Sequence, residues 1–238
     1  VPTLLHSFFA EIAHSISSVA RKKGYGLVIS SSEEDPELET QEIDQLLARS
    51  VDCLFIASSQ WTVEGFRRIE ERKTPYILID RKFVGLAANF VGLDDERLGI
   101  MATDHLVGIG CRRIAHIGAP YISTATGRFE GYRRSLNRHG LSVPPEYFLS
   151  EPYADDAGDV IGYDMMRSLL KLNPLPDGIF CHNDPIAFGA MKAILDAGLK
   201  IPEDIAIIGC GNVRHSDSLR VPLSTIDQNS TAIGERAA

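Results

Sequence analysis

Three consecutive polar residues, His182-Asn183-Asp184, follow a short apolar run, Ile179 to Cys181. The run is too short for a helix and is bounded by polar residues, so it predicts a buried strand. Asp184 stands where a helix N-cap is expected, with Pro185 at the first helical position. In an open α/β sheet, ligands bind at the carboxyl end of such a strand. The segment therefore indicates a ligand contact, although capping and turn formation alone would equally account for Asn183 and Asp184.

Catalytic motifs are absent from the sequence. It contains no Gly-x-Ser-x-Gly elbow, no His-Glu-x-x-His pair, no P-loop and no dinucleotide-binding glycine pattern. His116 and His182 lie in or beside predicted strands, where a hydrogen-bonded core histidine is the simpler interpretation. A metal site built on His182 and Asp184 would lack further ligands at useful spacing. We therefore predict no enzyme activity, no catalytic residue, no metal site and no cofactor.

The composition is that of an ordinary soluble globular protein, with 238 residues, 44% hydrophobic and 24% charged. The net charge of −8 argues against a nucleic-acid-binding surface on these residues, because phosphate binding needs clustered lysine and arginine. No apolar run approaches the ~18 residues that span a bilayer, and no signal-peptide pattern opens the chain. The four cysteines include no Cys-x-x-Cys pair, which favours free thiols in a reducing cytoplasm.

Apolar strand-like runs alternate with helical patterns along the chain. The first helix is predicted from Phe8 to about Lys23 and is followed by a strand from Gly26 to Ser30. Because the strands are apolar throughout, the alternation predicts parallel sheets covered on both faces. Two rounds of alternation meet near Gly92-Leu93-Asp94-Asp95, where we expect a crossover between two similar lobes. The first helix lacks a preceding strand and the helix from about Ser230 is short, so we expect the chain to be a fragment.

Nine short segments form an ordered set that begins at Phe8 and runs almost to the last residue. They are Phe8–Ile12, Pro75–Arg81, Asp104–Leu106, Arg112–Gly118, Arg128–Tyr132, Asn183–Ala187, Ile201–Ile205, Asn212–Arg214 and Pro222–Gln228. Each segment alone is a weak signal, but nine in order make a specific match. Together they resemble the effector-binding core of the lactose/galactose-repressor family of bacterial transcription regulators.

The resemblance implies an α/β fold of two doubly wound parallel-sheet lobes, like a type I periplasmic binding protein, with a ligand cleft between them. The N-terminal lobe would comprise residues 1–94 with 228–238, and the C-terminal lobe residues 95–227. It also implies parts that this chain lacks: an N-terminal helix-turn-helix domain with its hinge, the first core strand, and a C-terminal strand and helix.

Ligand-binding residues follow from the resemblance position by position. Phe8 and Phe9 would lie on the loop before the first helix and stack on a flat ring or a sugar face, although one of them is as readily a hydrophobic staple. Arg128 would open a helix and grip the effector, with Thr124 on the same loop. A planar guanidinium suits adjacent hydroxyls or a carboxylate. Tyr153 would add an aromatic ring from the following loop.

Asn183, Asp184 and Asn212 complete the predicted polar contacts. The sequence departs from the family at Gly211, where an aspartate that binds the effector is usual. Gly211 therefore leaves no carboxylate at that corner. With donors in excess and Phe83 nearby, we expect a ligand that carries an anionic or carbonyl group and an apolar portion, with a neutral hexose as the alternative.

The implied function is a cytoplasmic, ligand-responsive transcription regulator that senses a small, sugar-like molecule by lobe closure and that binds operator DNA through a domain absent from this chain. A ligand shifts the equilibrium between open and closed lobes only if it binds the two forms with different affinity. We expect a homodimer paired through the apolar helix that carries Ile186, Met191 and Ile194, although a helix covered by its neighbours would look equally apolar. A periplasmic solute-binding protein of a transporter and an enzyme on a similar scaffold are the alternatives.

Overall fold

The computed structural model describes residues 1–119, 122–150, 158–214 and 216–238. The helices are α1 (Ser7–Lys22), α2 (Pro36–Ala48), α3 (Arg67–Arg72), α4 (Asp95–Gly108), α5 (Ser123–Arg138), α6 (Gly158–Leu169), α7 (Asp184–Asp196) and α8 (Ser230–Ala237). The strands are β1 (Leu54–Ile56), β2 (Tyr76–Ile79), β3 (Asn89–Val91), β4 (Ile114–Gly118), β5 (Phe148–Ser150), β6 (Gly178–Cys181), β7 (Ala206–Cys210) and β8 (Ser224–Ile226). Short 3₁₀ helices span Val63–Phe66 and Pro145–Tyr147.

These elements form two compact units. The chain passes from unit 1 to unit 2 between Leu93 and Asp94 and returns between Gln228 and Asn229.

Unit 2 contains a parallel sheet with the strand order β5-β4-β6-β7-β8. The chain moves outward from β4 to β5, crosses back over β4 to β6, and then continues in the other direction. The order therefore reverses between β4 and β6, and the crevice beyond the carboxyl ends of these two strands is the usual ligand position in such a sheet. The predicted α/β class with parallel, doubly wound sheets is confirmed.

Unit 1 contains a parallel sheet with the order β1-β2-β3. The strand predicted from Gly26 to Ser30 is wrong, because these residues lie in neither sheet. Val1 bonds at and just beyond the end of this segment: its amine donates to the carbonyl of Ser30 at 3.0 Å, and the Ser32 N–H donates to the Val1 carbonyl at 2.9 Å. An apolar groove of about 540 Å³ lies here, lined by side chains that include Ile16, Leu27 and Phe55.

Two pairs of helices in unit 2 pack at very short range because glycines face their partners. A Cβ at Gly131 of α5 would collide with the backbone carbonyl of Glu96 in α4. In the same way, a Cβ at Gly162 of α6 would collide with the carbonyl of Ile186 in α7. Glycine at these positions thus permits the close packing of α4 on α5 and of α6 on α7.

Candidate functional site

Five polar side chains of unit 2 lie where the strand order of its sheet reverses. Thr124 and Arg128 come from α5, which follows β4, whereas His182, Asn183 and Asp184 follow β6 directly. All five are buried. Because β4 and β6 are neighbours in the parallel sheet, their carboxyl ends bring these two groups together, although 54 residues separate Arg128 from His182.

Arg128 joins the two groups by hydrogen bonds. Its Nη1 donates to the carbonyl oxygen of His182 at 2.6 Å, and its Nε donates to Oδ1 of Asp95 at 3.0 Å. The side chains of Arg128 and Asp95 are only 4% and 8% exposed. A buried charge is costly unless it is paired and hydrogen-bonded, so Asp95 is what allows the guanidinium to lie here.

The sequence missed Asp95 and misplaced Arg128. Arg128 does not open a helix: α5 begins at Ser123, which puts the arginine in the second turn. Asp95 was considered as part of the expected crossover, but Asp94 is the N-cap of α4 and Asp95 is its first residue. Gly127 permits the pairing, since a Cβ there would lie 2.6 Å from Cβ of Asp95.

Asn183 and Asp184, which follow β6, have different hydrogen-bonding roles. Asn183, not Asp184, is the N-cap of α7, because its Oδ1 accepts the N–H of Ile186 at 3.0 Å. Asp184 is fully buried and turns toward the neighbouring strands, where Thr225 Oγ1 donates to it at 2.6 Å and the Val213 N–H at 2.9 Å. Burial raises the pKa of the Asp184 carboxyl, and these two donors oppose that shift.

The corner at Gly211 is shaped by the same carboxylate. Gly211 has a φ of 145°, and a Cβ there would lie 3.2 Å from Oδ2 of Asp184. Asn212 is exposed, has a φ of 49°, and donates its N–H to Thr225 Oγ1 at 3.1 Å. The corner thus has no aspartate of its own, but the carboxylate of Asp184 lies directly beside it.

His116 occupies the interior of the same unit and is fully buried, as its interpretation as a hydrogen-bonded core histidine predicts. Its Nδ1 lies 2.9 Å from the carbonyl oxygen of Phe180, and the ring stacks on Phe180 and Phe148 at centroid distances of 4.5 and 5.7 Å. Burial lowers the pKa of His116 to about 4, so the imidazole is neutral at physiological pH.

Phe8 and Phe9 do not lie on a loop. Both belong to the first turn of α1, are 5% and 4% exposed, and pack edge to face at 5.2 Å in a core cluster of unit 1. The helix is capped by His6, whose Nδ1 accepts the N–H of Phe8 at 3.2 Å. Phe83 likewise packs on Phe66, at 5.1 Å. Their aromatic surfaces are therefore used largely inside unit 1.

Unit 1 has its own buried polar network, which sequence reasoning did not find. Glu39 of α2 accepts a hydrogen bond from Ser58 Oγ at 2.6 Å and another from the Ser59 N–H. Arg81, which follows β2, forms a two-point pair with Glu34 at 2.7 and 2.5 Å. Nothing in the local sequence marks these residues, because each pair joins segments that are far apart along the chain.

The helix predicted to mediate dimerisation keeps its apolar face within unit 2. Ile186, Met191 and Ile194 are 0%, 5% and 0% exposed, and all three belong to the core cluster. The apolar surplus that suggested an interface is thus explained by packing against α6 and the sheet. Tyr153, the remaining predicted contact, lies outside the described residues.

Within the described ranges, no group of three or more His, Cys, Asp or Glu side chains is arranged to hold a metal ion. No helix in those same ranges is long and apolar enough to cross a membrane. None of the four cysteines forms a disulfide bond.

Known proteins resemble this chain over nearly its whole length. Residues 103–238 match the periplasmic binding protein-like domain family. Over 234 residues the chain is 32% identical to the HTH-type transcriptional repressor PurR of Haemophilus influenzae (strain PittEE), a match that covers 97% of this chain and 68% of the repressor. A LacI family transcriptional regulator from Enterococcus faecium, solved with bound ribose, has a TM-score of 0.86 and 26% identity and covers 100% of this chain and 85% of its own. A LacI family regulator from Silicibacter pomeroyi has a TM-score of 0.88 and 25% identity, with 99% and 87% covered.

Proposed function

The chain belongs to the lactose/galactose-repressor (LacI) family as an effector-binding core of a transcriptional regulator, and we propose that a sugar-like effector binds at the carboxyl edge of its unit 2 sheet. A transporter-binding protein is not favoured, since the matching relatives are repressors. Those relatives are regulators rather than enzymes.

The observation that carries the proposal is Arg128. It is buried at the reversal of strand order and donates to the carbonyl of His182, the residue directly after β6, so it connects the two segments between which ligands bind in this class of sheet.

The proposed ligand contacts are Thr124, Arg128, Asn183, Asp184 and Asn212, with Gly211 leaving room beside them. They supply guanidinium and amide donors together with hydroxyl, amide and carboxylate acceptors. A sugar presents adjacent hydroxyls, each of which donates and accepts, and so can use both kinds of partner at once. The ribose bound to the Enterococcus faecium relative supports this ligand class.

Three further parts of the function are proposals. The regulator would bind operator DNA through a helix-turn-helix domain outside these residues, since these residues carry a net charge of −8, which disfavours contact with phosphates. It would act in the cytoplasm, where its DNA target is. It would be a homodimer, paired through surfaces other than Ile186, Met191 and Ile194.

A ligand screen tests the site. Thermal-shift measurements with sugars would identify a binder, and calorimetry would then compare Arg128→Gln with the wild type. We expect Arg128→Gln to weaken binding by about tenfold to a hundredfold, the value of a hydrogen bond to a charged group. Arg133→Gln is the matched control, because Arg133 lies on the same helix but pairs with Glu130 on the surface.

Two outcomes would contradict the proposal. The first is that no sugar stabilises the protein. The second is that a sugar binds equally well to Arg128→Gln and to the wild type while both variants remain folded.

A further inference from the structure

The charge of Arg128 is already balanced within unit 2. Its guanidinium bonds to the carboxylate of Asp95 at 3.0 Å, and both side chains are more than nine-tenths buried. Asp95 is the first residue of α4, and the absence of a Cβ at Gly127 lets α5 approach Asp95 closely. The contact is therefore fixed by the backbones of the two helices. The pair therefore presents polar atoms at the edge of the sheet without a net positive charge.

A second carboxylate lies at the same edge. Asp184 is fully buried and is held by Thr225 and by the Val213 N–H. It also interacts electrostatically with Arg128. One guanidinium and two carboxyl groups thus lie at this edge, so the net charge of these three groups is not positive.

We infer that Asp95 is a specificity-determining residue, which cancels the charge of Arg128 so that the site takes a neutral, hydroxyl-bearing ligand and excludes phosphorylated or carboxylated analogues. The inference rests on the proposed function and reverses the expectation of an anionic ligand. That expectation took Arg128 as an uncompensated donor, which the contact with Asp95 rules out.

Physical reasons favour the neutral ligand. An anion would compete with Asp95 for the same cation and would approach two carboxyl groups in a buried, weakly screened setting, where like charges disfavour one another. A neutral hydroxyl instead accepts from the guanidinium and donates to a carboxylate at the same time.

The Asp95→Asn substitution tests the negative charge of Asp95 separately from its hydrogen bond with Arg128. Asparagine keeps an Oδ1 that accepts from Arg128 Nε but removes the negative charge. The matched control is Glu96→Gln, which removes one negative charge from the adjacent residue, whose carboxylate pairs with exposed Arg134. Both variants have the same net charge, so general electrostatic effects cancel between them.

Inorganic phosphate is the first probe, because it requires no knowledge of the effector. We expect phosphate to raise the thermal unfolding temperature of Asp95→Asn above that measured in chloride of equal ionic strength. The wild type and Glu96→Gln should show no such rise. Equal stabilisation of all three proteins, or of none, would overturn the inference.

The second probe is a matched pair, ribose and ribose 5-phosphate, measured by calorimetry. The wild type should bind ribose more tightly, and Asp95→Asn should shift the ratio of the two affinities toward the phosphate by about tenfold or more. Should Asp95→Asn fail to fold, the wild type decides alone, since tighter binding of the phosphorylated sugar refutes the inference. If neither sugar binds any folded protein, the proposed ligand class fails, while the phosphate result still decides the role of Asp95.

Discussion

The replacement of His116 by phenylalanine should change how the stability of the protein depends on pH. His116 lies in β4, fully buried, with its ring stacked on Phe180 at 4.5 Å. Burial lowers its pKa from 6.5 to about 4, because the imidazolium would lose its hydration inside the unit. Phenylalanine keeps a ring of similar size among these aromatic neighbours but cannot take up a proton.

The size of the effect follows from the two pKa values. Between pH 6.5 and about 4 the unfolded chain holds a proton on His116 that the folded protein does not, so the free energy of unfolding falls as the pH falls. Linkage gives a loss of about 2 kcal/mol at pH 5 and about 3 kcal/mol at pH 4, relative to neutral pH. At neutral pH, His116→Phe loses only the hydrogen bond to the Phe180 carbonyl, about 1 kcal/mol.

Urea unfolding at a series of pH values from 7 to 4 measures this. The variant should be about 1 kcal/mol less stable than the wild type at pH 7 and about 2 kcal/mol more stable at pH 4. Buried carboxyls such as Glu39 and Asp184, whose pKa values are raised by burial, titrate in both proteins and cancel in the difference. His105→Phe, at an exposed position, is the control and should show no reversal. A difference between wild type and His116→Phe that stays constant with pH would refute the reasoning.

Three further substitutions test packing and capping. Gly131→Ala should push α4 and α5 apart and lower the free energy of unfolding by about 1–3 kcal/mol. Gly108→Ala is the control and should have no such effect, because Gly108 has open space around it. Equal melting temperatures of the two variants would contradict this expectation. Phe9→Ala should cost about 3–5 kcal/mol in urea unfolding without changing the ligand affinity of the folded protein, and a large affinity loss would restore Phe9 as a ligand contact. Asn183→Ala should cost about 1 kcal/mol as a lost N-cap, and Asn183→Ser should recover that stability; if Asn183→Ala unfolds at the same urea concentration as the wild type, Asn183 does not stabilise the helix as its cap.

Local sequence patterns were sufficient to predict the strand–turn–helix unit formed by β6 and α7. The apolar run Ile179–Cys181 and the polar turn after it predict β6 and the start of α7, and Gly198 ends that helix with a φ of 77°. The alternation of such units was enough for the α/β class with parallel sheets. The ordered motifs were enough for the family, since their combination is far more specific than any one of them.

The errors have a physical reason in each case. The strand at Gly26–Ser30 fails because a strand needs a hydrogen-bonded neighbour, which no local pattern can supply. The start of α5 was missed because Ile122, its N-cap, makes no side-chain cap bond and so leaves no signature.

The site itself was the least predictable part. Arg128 was found through the resemblance, but its partner Asp95 is 33 residues away and belongs to a different helix. No spacing rule connects residues that meet only because α4 and α5 pack at glycines. The premise that Arg128 lacks a compensating carboxylate was consequently wrong, whereas the charge of the ligand stays a prediction.

Gly211 shows how such a long-range contact constrains a position that sequence alone treats as a simple loss. Its φ of 145° lies where side chains are strained, and its missing Cβ would lie 3.2 Å from Oδ2 of Asp184. An aspartate at position 211 would therefore strain the backbone and place a second carboxylate against the first.

We accordingly expect Gly211→Asp not to restore a ligand acceptor but to destabilise the protein, by about 1–3 kcal/mol for the backbone alone and by more for the charge. Gly211→Ala, measured in the same urea unfolding series, separates the two causes, because it carries the strain without the carboxylate. Asp184→Asn combined with Gly211→Asp should relieve the repulsion but not the strain. If Gly211→Asp is as stable as the wild type, Asp184 does not occupy this corner, and the aspartate usual in the family could be accommodated here after all.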